Sequence, residues 1–377
     1  MLGLGLLAWT VEARDAPVSS SLAAGPRARL AEAPSSEAEA LIERWAPAFL
    51  QQVSDAHPER DRPLRVDFDG DWDATNNWEH LTPQMAGAKP VVYASAILSE
   101  SHAYLTYTLF YPRDWAWPIC VSYVCHDNDL EVALVIVKRG ARPEESELCM
   151  LETKAHRRYV AERASDIERD SAGRPWIEIE SEGHGMLPMA RGHAPEPGSL
   201  RFVYRSPQAP VAASEVGRTE AYEIVSLAQT LWKNRAPDAT RGRLWSEGES
   251  GFLGYAGARQ GRLGFLLGAS MATNAYAGGV RPPWGLRATA GARGDWFLDP
   301  AFVALARHGD WLGGTKAVSL EYVYNPYLKD LVGECEGARC PNATAPASTS
   351  SRSQRAAGGL LLLLGLVSLR FRKSGAA

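Results

Sequence analysis

Two β-type runs flanking a short polar stretch constrain this chain more than any other feature. His102-Ala103-Tyr104-Leu105-Thr106-Tyr107-Thr108-Leu109-Phe110-Tyr111 is aromatic and β-branched along its length, and Val132-Ala133-Leu134-Val135-Ile136-Val137 is a second apolar run. Segments of this kind are strands, because branched and aromatic side chains pack well on a pleated surface. Val91-Val92-Tyr93-Ala94-Ser95 and Leu200 to Tyr204 add two more. Pro175 to Glu180 alternates with period two, as a half-exposed strand does. Val318 to Tyr324 reads as a closing strand. Helical spacing is clearest after Ser36-Glu37, where Ala38, Leu41, Ile42, Trp45 and Phe49 recur on one face. Met150 to Glu168 is expected to be irregular or a short helix. Strand runs outnumber helical ones, so the expected fold is mainly β with added helices: a β-sandwich core with long aromatic- and glycine-rich loops.

The chain has 377 residues, 45% hydrophobic and 22% charged, which is the balance of a folded globular protein. Its net charge of -4 leaves no basic footprint for nucleic acid. Neither a P-loop nor a dinucleotide fingerprint is present. Residues 1–13 form a short apolar run closing on Val11-Glu12-Ala13, small residues at the two key positions of a signal-peptide cleavage site, so export is expected. Residues 14–36 are rich in Ala, Pro, Ser and Arg and read as a linker. The domain is expected over 37–332, with a loop-rich insertion at 215–300 carrying isolated aromatics such as Trp232, Tyr255 and Trp284. Residues 333–355 turn to Pro, Ala, Ser and Thr, a stalk-like linker.

Residues 356–373 close the chain: Ala356-Ala357-Gly358-Gly359, an apolar run from Leu360 to Leu369, then Arg370-Phe371-Arg372-Lys373. The run is shorter than a full transmembrane helix, and it has no polar face that would suit a buried amphipathic one. Its basic end leaves the bulk of the chain outside. The glycine pair, leucine run and basic end resemble bacterial C-terminal sorting tails of the GlyGly type. That resemblance implies a membrane contact through the tail and a destination at the cell surface (outer membrane) or beyond it. Five cysteines fit an oxidising compartment. Cys120 and Cys125 are close enough to bridge, as are Cys335 and Cys340, and Cys149 is left over. Free thiols, or a zinc site from Cys120, Cys125, His126 and Cys149, are the alternatives, although zinc knuckles prefer a tighter cysteine spacing.

The polar stretch between the two runs is His126-Asp127-Asn128-Asp129-Leu130-Glu131. On a strand, Asp129 and Glu131 point the same way, about 6 to 7 Å apart. Two carboxylates on one face repel unless a positive charge sits between them. With His126 folding back from the preceding turn, they suit a hard divalent cation, Mg2+, Ca2+ or Mn2+. The competing reading is a solvated turn, since Asp and Asn are common turn formers. His184, flanked by Gly183 and Gly185, is a candidate ligand or base, because glycines let the backbone approach closely. Glu152 and His156 would share a helix face at i, i+4 as supporting groups around the metal. His80 is a weaker candidate. Asp67-Phe68-Asp69-Gly70-Asp71-Trp72-Asp73 loosely suggests a calcium loop, but position twelve falls on Trp78, so an acidic turn is the better reading.

His126-x-x-Asp129-x-Glu131, entered through Phe110-Tyr111-Pro112 and Asp114, resembles the necrosis- and ethylene-inducing-like protein family and the wider superfamily that includes vacuolar-sorting-associated proteins. In that family the heptapeptide Gly-His-Arg-His-Asp-Trp-Glu feeds an apolar strand of a β-sandwich and binds a divalent cation. The resemblance implies a metal held by His126, Asp129 and Glu131. The family's further aspartate falls here on Pro118, and Asp114 is the nearest acid that can take its place in a rearranged loop. Asn128 stands where the family has a second histidine, and Leu130 where it has tryptophan. The resemblance covers about a third of the chain. It implies an exported cation-binding protein, with Mg2+ or Ca2+ favoured, whose ligand is a glycan or lipid headgroup. A metal-dependent hydrolase and a structural surface protein with a stabilising Ca2+ are the alternatives. No Gly-x-Ser-x-Gly marks a nucleophile, and whether the chain is an enzyme stays open.

Overall fold

A computed structural model describes residues 35–74, 76–114, 126–155, 158–193, 199–204, 219–234, 254–256, 271–273, 283–285 and 295–327. The expected signal segment, both linkers, the C-terminal tail, Cys120, Cys125, Cys335, Cys340 and His156 lie outside them. For His126 and for 254–256 and 271–273, the backbone alone is described. No helix among the described residues is long and apolar enough to cross a membrane.

The fold is mainly β. The strands are β1 (Ala48–Gln51), β2 (Val91–Ser99), β3 (His102–Asp114), β4 (His126–Lys138), β5 (Glu147–Ala155), β6 (Arg158–Arg163) and β7 (Trp176–Ile179), followed by β8 (Met186–Pro188), β9 (Leu200–Tyr204), β10 (Thr219–Ser226), β11 (Gly254–Ala256), β12 (Met271–Thr273) and β13 (Tyr322–Tyr324). Among the described residues four α-helices accompany them: α1 (Ser35–Trp45), α2 (Asn77–His80), α3 (Asp295–Leu298) and α4 (Pro300–His308). The hydrogen-bonded order is β12-β11-β4-β3-β2-β10-β9-β1-β7-β8, with β5 and β6 continuing from β4 and β13 joining β2. The central β3–β4 pair runs antiparallel, with Leu105 opposite Val135 and Tyr111 opposite Asp129.

β10 joins two layers. Its first half, Thr219 to Tyr222, runs parallel to β9, and its second half, Glu223 to Ser226, runs parallel to β2. One layer is built on β1, β7, β8 and β9, the other on β2 to β5. Phe49, Ile177, Ile179, Met186 and Phe202 of the first layer share a core with Leu105, Tyr107, Leu109, Val135 and Leu151 of the second. Each such buried side chain contributes about 1.5–3 kcal/mol. The opposite faces of β3 and β4 are also buried, at Phe110, Leu130, Val132 and Leu134. This double burial explains why the two runs carry so few polar residues. On β7 the expected alternation holds: Ile177 and Ile179 are buried, while Trp176 and Glu178 are partly open.

Met150 to Glu168 differs from expectation. It is the β5–β6 hairpin, with Thr153 opposite Val160 and Ala155 opposite Arg158, and not a helix. Pairing with β4 prevails over local helix preference, because β5 extends the sheet from Val137 to Ala133. Glu152 therefore lies on a strand, and the i, i+4 helix face expected for Glu152 and His156 does not form.

Candidate metal centre

The polar stretch is not a solvated turn. His126 opens β4 and lies across the ladder from Asp114, so it does not fold back from a preceding turn. Adjacent strands thus place positions 114 and 126 side by side, about 5 Å apart at Cα. From Asp127 to Glu131 every residue is buried, and each polar one has its own neighbour. Asp127 lies 3.8 Å from Arg113 Nη1. Asn128 is fully buried in the left-handed region, at φ 57. Its Oδ1 accepts from Asn77 Nδ2 at 2.7 Å, and its Nδ2 donates to the Ala74 carbonyl at 2.6 Å. That pair of bonds clamps the 67–80 loop onto β4.

Asp129 faces the core, where Oδ2 is 2.9 Å from His184 Nδ1 and Oδ1 accepts from the Leu130 backbone at 2.9 Å. His184 is completely buried and stacks on Tyr111, with ring centroids 3.7 Å apart. Its Nε2 lies 3.3 Å from Asp61 Oδ1 and 3.2 Å from the Arg60 carbonyl. Burial opposes an imidazolium here, but the hydrogen bonds to Asp129 and Asp61 outweigh it and hold the pKa at about 10. Both ring nitrogens are engaged, Nδ1 by Asp129 and Nε2 by Asp61 and the Arg60 carbonyl. His184 therefore orients Asp129. The turn is also built differently from expectation. Glu182 and His184 take positive φ, at 67 and 51, and neither flanking glycine does. Asp61 holds that strained turn by accepting from the Glu182 backbone at 2.6 Å and from the Ser54 backbone at 2.6 Å.

Glu131, two residues beyond Asp129, is also buried. Lys154 Nζ lies 3.9 Å from its Oε1, and its Oε2 has no hydrogen-bond partner among the described residues. Burial pushes its carboxyl well above the usual range, Lys154 pulls it back, and Asp129 raises it again. An orphaned buried carboxylate oxygen beside a second carboxylate is what a divalent cation would complete. Asp114, half-buried at the end of β3, is near enough for its charge to act on Glu131. Glu152 points elsewhere. It accepts from Trp296 Nε1 at 2.9 Å and pairs with Arg307 at 2.6 Å, on the helix-covered face of the sheet. Cys149 is a free thiol on β5.

A second group lies on the clamped loop. Asp69, Asp71 and His80 bring ligand atoms within 4.8 Å of one another and form a group able to hold a metal ion. His80 Nδ1 is 2.6 Å from Asp69 Oδ2, and this hydrogen bond raises the imidazole pKa. Asp71 accepts from the Asp73 backbone at 2.7 Å and from Asn76 Nδ2 at 3.0 Å. Gly70, at φ 99, makes the turn that brings the two aspartates together. Asp67 is taken by Arg65 at 3.0 Å and stays apart. Spacing alone read this segment as an acidic turn, because His80 joins it only once α2 has formed. Asp61 gave no signal at all, since Arg60-Asp61-Arg62 reads as a surface charge run.

No family model matches the sequence, and no curated protein matches it. Solved structures give loose matches. The non-toxic HaNLP3 protein aligns at 16% identity over 27% of this chain and 47% of that one, less than half its length, with a TM-score of 0.22. A protein described as a toxin fold for microbial attack and plant defense aligns at 16% identity over 45% of this chain and 76% of that one, with a TM-score of 0.29. NLPPya in complex with glucosamine aligns at 15% identity over 45% and 77%, with a TM-score of 0.26. Likenesses this loose carry neither an activity nor a ligand over to this chain.

Proposed function

We propose that the chain is an exported protein, similar in kind to the necrosis- and ethylene-inducing-like proteins, that binds one divalent cation through Asp129 and Glu131. His126 and Asp114, paired across the ladder, complete the ligand set, and Mg2+ or Ca2+ is the ion. The single observation behind this reading is the buried Glu131 carboxylate, whose Oε2 has no hydrogen-bond partner among the described residues, two positions from buried Asp129. When bound, a hard cation would neutralise these carboxylates and offer open positions to hydroxyl or phosphate oxygens. A glycan or lipid headgroup at a cell surface is the matching ligand class. The apolar N-terminal run and the Gly358-Gly359 tail support export and a membrane contact. His184, Asp61 and Tyr111 hold Asp129 in one orientation, as supporting groups around metal sites do.

The test is titration calorimetry with Ca2+ and Mg2+ on the chain purified without chelator. Asp129→Asn and Glu131→Gln should each weaken binding at least tenfold while circular dichroism stays that of the parent. Unchanged affinity in both variants sinks the reading.

The loop group favours a second reading, in which a cation only stabilises the fold. Affinity would then follow Asp71→Asn and His80→Ala, with Asp129→Asn and Glu131→Gln silent.

A further inference from the structure

A separate cavity of about 420 Å3 opens between α1 and the junction of β2 with β10. It exists for two reasons. β10 leaves β9 for β2 between Tyr222 and Glu223, which parts the layers there. The floor is also made of small residues, Ala94 and Ala96, which leave the space unfilled. Tyr204 and Tyr222 form one wall, their rings 5.8 Å apart, and Tyr324 lines it as well.

The rim is acidic. Glu39 and Glu43 lie one turn apart on α1, and both border the cavity. Arg139 pairs with Glu37 and leaves these two without an ion pair among the described residues. The charge of Glu43 reaches Tyr204, and that of Glu39 reaches Tyr324. Glu223 is the third acid, with Lys89 3.6 Å from it. Three glutamates against one engaged lysine would repel an anion. A neutral ligand would leave the carboxylates unmatched, and a hydrated metal ion would gain little from tyrosine faces.

We propose that this cavity binds a small organic cation, an alkylammonium group of about choline size. Tyrosine faces attract such a cation through their quadrupole, and the glutamates supply the counter-charge. The volume suits a small molecule. The site shares no residue with the cation centre around Asp129 and Glu131, so either can fail without the other.

The test compares choline with its neutral isostere 3,3-dimethylbutan-1-ol, by calorimetry or ligand-observed NMR on the whole chain. Choline should bind, with the isostere weaker by a factor of about ten. The double substitution Glu39→Gln with Glu43→Gln should weaken choline by a similar factor. Both residues are exposed, so the fold should survive, and an unchanged melting temperature confirms it. Tyr324→Leu should also lose affinity while the cavity stays apolar. Phosphatidylcholine vesicles separate the sources. Cosedimentation that the double variant abolishes identifies a lipid headgroup, and binding of free choline alone identifies a soluble amine. Equal affinity for the isostere, or no binding of choline in any form, overturns the proposal.

Discussion

Asn128 shows how much one residue can carry. It occupies the left-handed region that asparagine tolerates better than other non-glycine residues, and both ends of its amide are bonded in a buried site. Asn128→Ala should cost about 2–4 kcal/mol, because it keeps the backbone strain and orphans Asn77 and the Ala74 carbonyl. Asn128→Gly relieves the strain and should recover about 1 kcal/mol of that loss. Urea midpoints of the two variants check the order. His102 gives a second prediction. It is almost fully buried, its Nδ1 is 2.8 Å from Ser101 Oγ, and burial, with Lys138 nearby, holds its pKa at about 4. The unfolded chain takes up a proton below about pH 6.5, while the fold refuses it until about pH 4. Stability is therefore full above that window and falls as pH drops through it, by about 1–2 kcal/mol at pH 5. His102→Phe should flatten this part of the stability-versus-pH curve, and a slope equal to the parent's would assign it to other groups. Neither role was legible in the sequence. Asn128 read as a turn former and as a departure from a family motif, because its partners lie about fifty residues upstream.

Among the elements, the β5–β6 hairpin and the short helices behind it show where local reading stops. Strands β2, β3, β4, β7 and β9 were legible because burial imposes composition on them. The hairpin was not, because its residues are mixed and only the β4 edge makes strands of them. Glu152 sits at the centre of this arrangement. On one face of β5, Thr153 Oγ1 donates to the Met186 carbonyl in the core at 2.8 Å. On the other, Glu152 receives Trp296 of α3 and Arg307 of α4. Tyr159 of β6 packs on Trp296 with ring centroids 5.5 Å apart and carries the Arg307 guanidinium over its ring at 5.2 Å, so both helices dock on the hairpin around Glu152. Glu152→Ala should cost about 2–4 kcal/mol, since it strands a buried indole N–H and part of a guanidinium. Glu152→Gln keeps an acceptor for the indole and should cost less. Guanidinium midpoints test this, and equal losses would mean that the ion pair with Arg307 dominates.

At the scale of the molecule, a β-sandwich with added helices was legible, but how distant segments are fastened to it was not. The isolated tryptophans of the loop-rich zone read as separate anchors. Two of them join one cluster: Trp232 packs on Trp284 with centroids 5.1 Å apart and on Tyr327 at 4.9 Å, and Phe297 lies 4.7 Å from Tyr327. Tyr327 is fully buried and its hydroxyl hydrogen-bonds Ser95 of β2. One ring thus ties the segment after β10, the 283–285 turn and α3 to the central sheet. Asn325 reinforces this by donating to the Leu298 carbonyl at 3.1 Å and accepting from the Tyr327 backbone at 3.1 Å. Loss of a buried aromatic of this kind costs about 3–5 kcal/mol, a large share of the stability of an ordinary domain. Two truncations measure it. A chain ending after Tyr327 keeps every contact named here and is the reference. A chain ending after Tyr324 loses Asn325, Pro326 and Tyr327, and should melt lower, with a weaker near-ultraviolet dichroism from the tryptophans. If both truncations melt alike, the cluster is held by Trp232, Trp284 and Phe297 without Tyr327, and the fastening of β2 lies elsewhere.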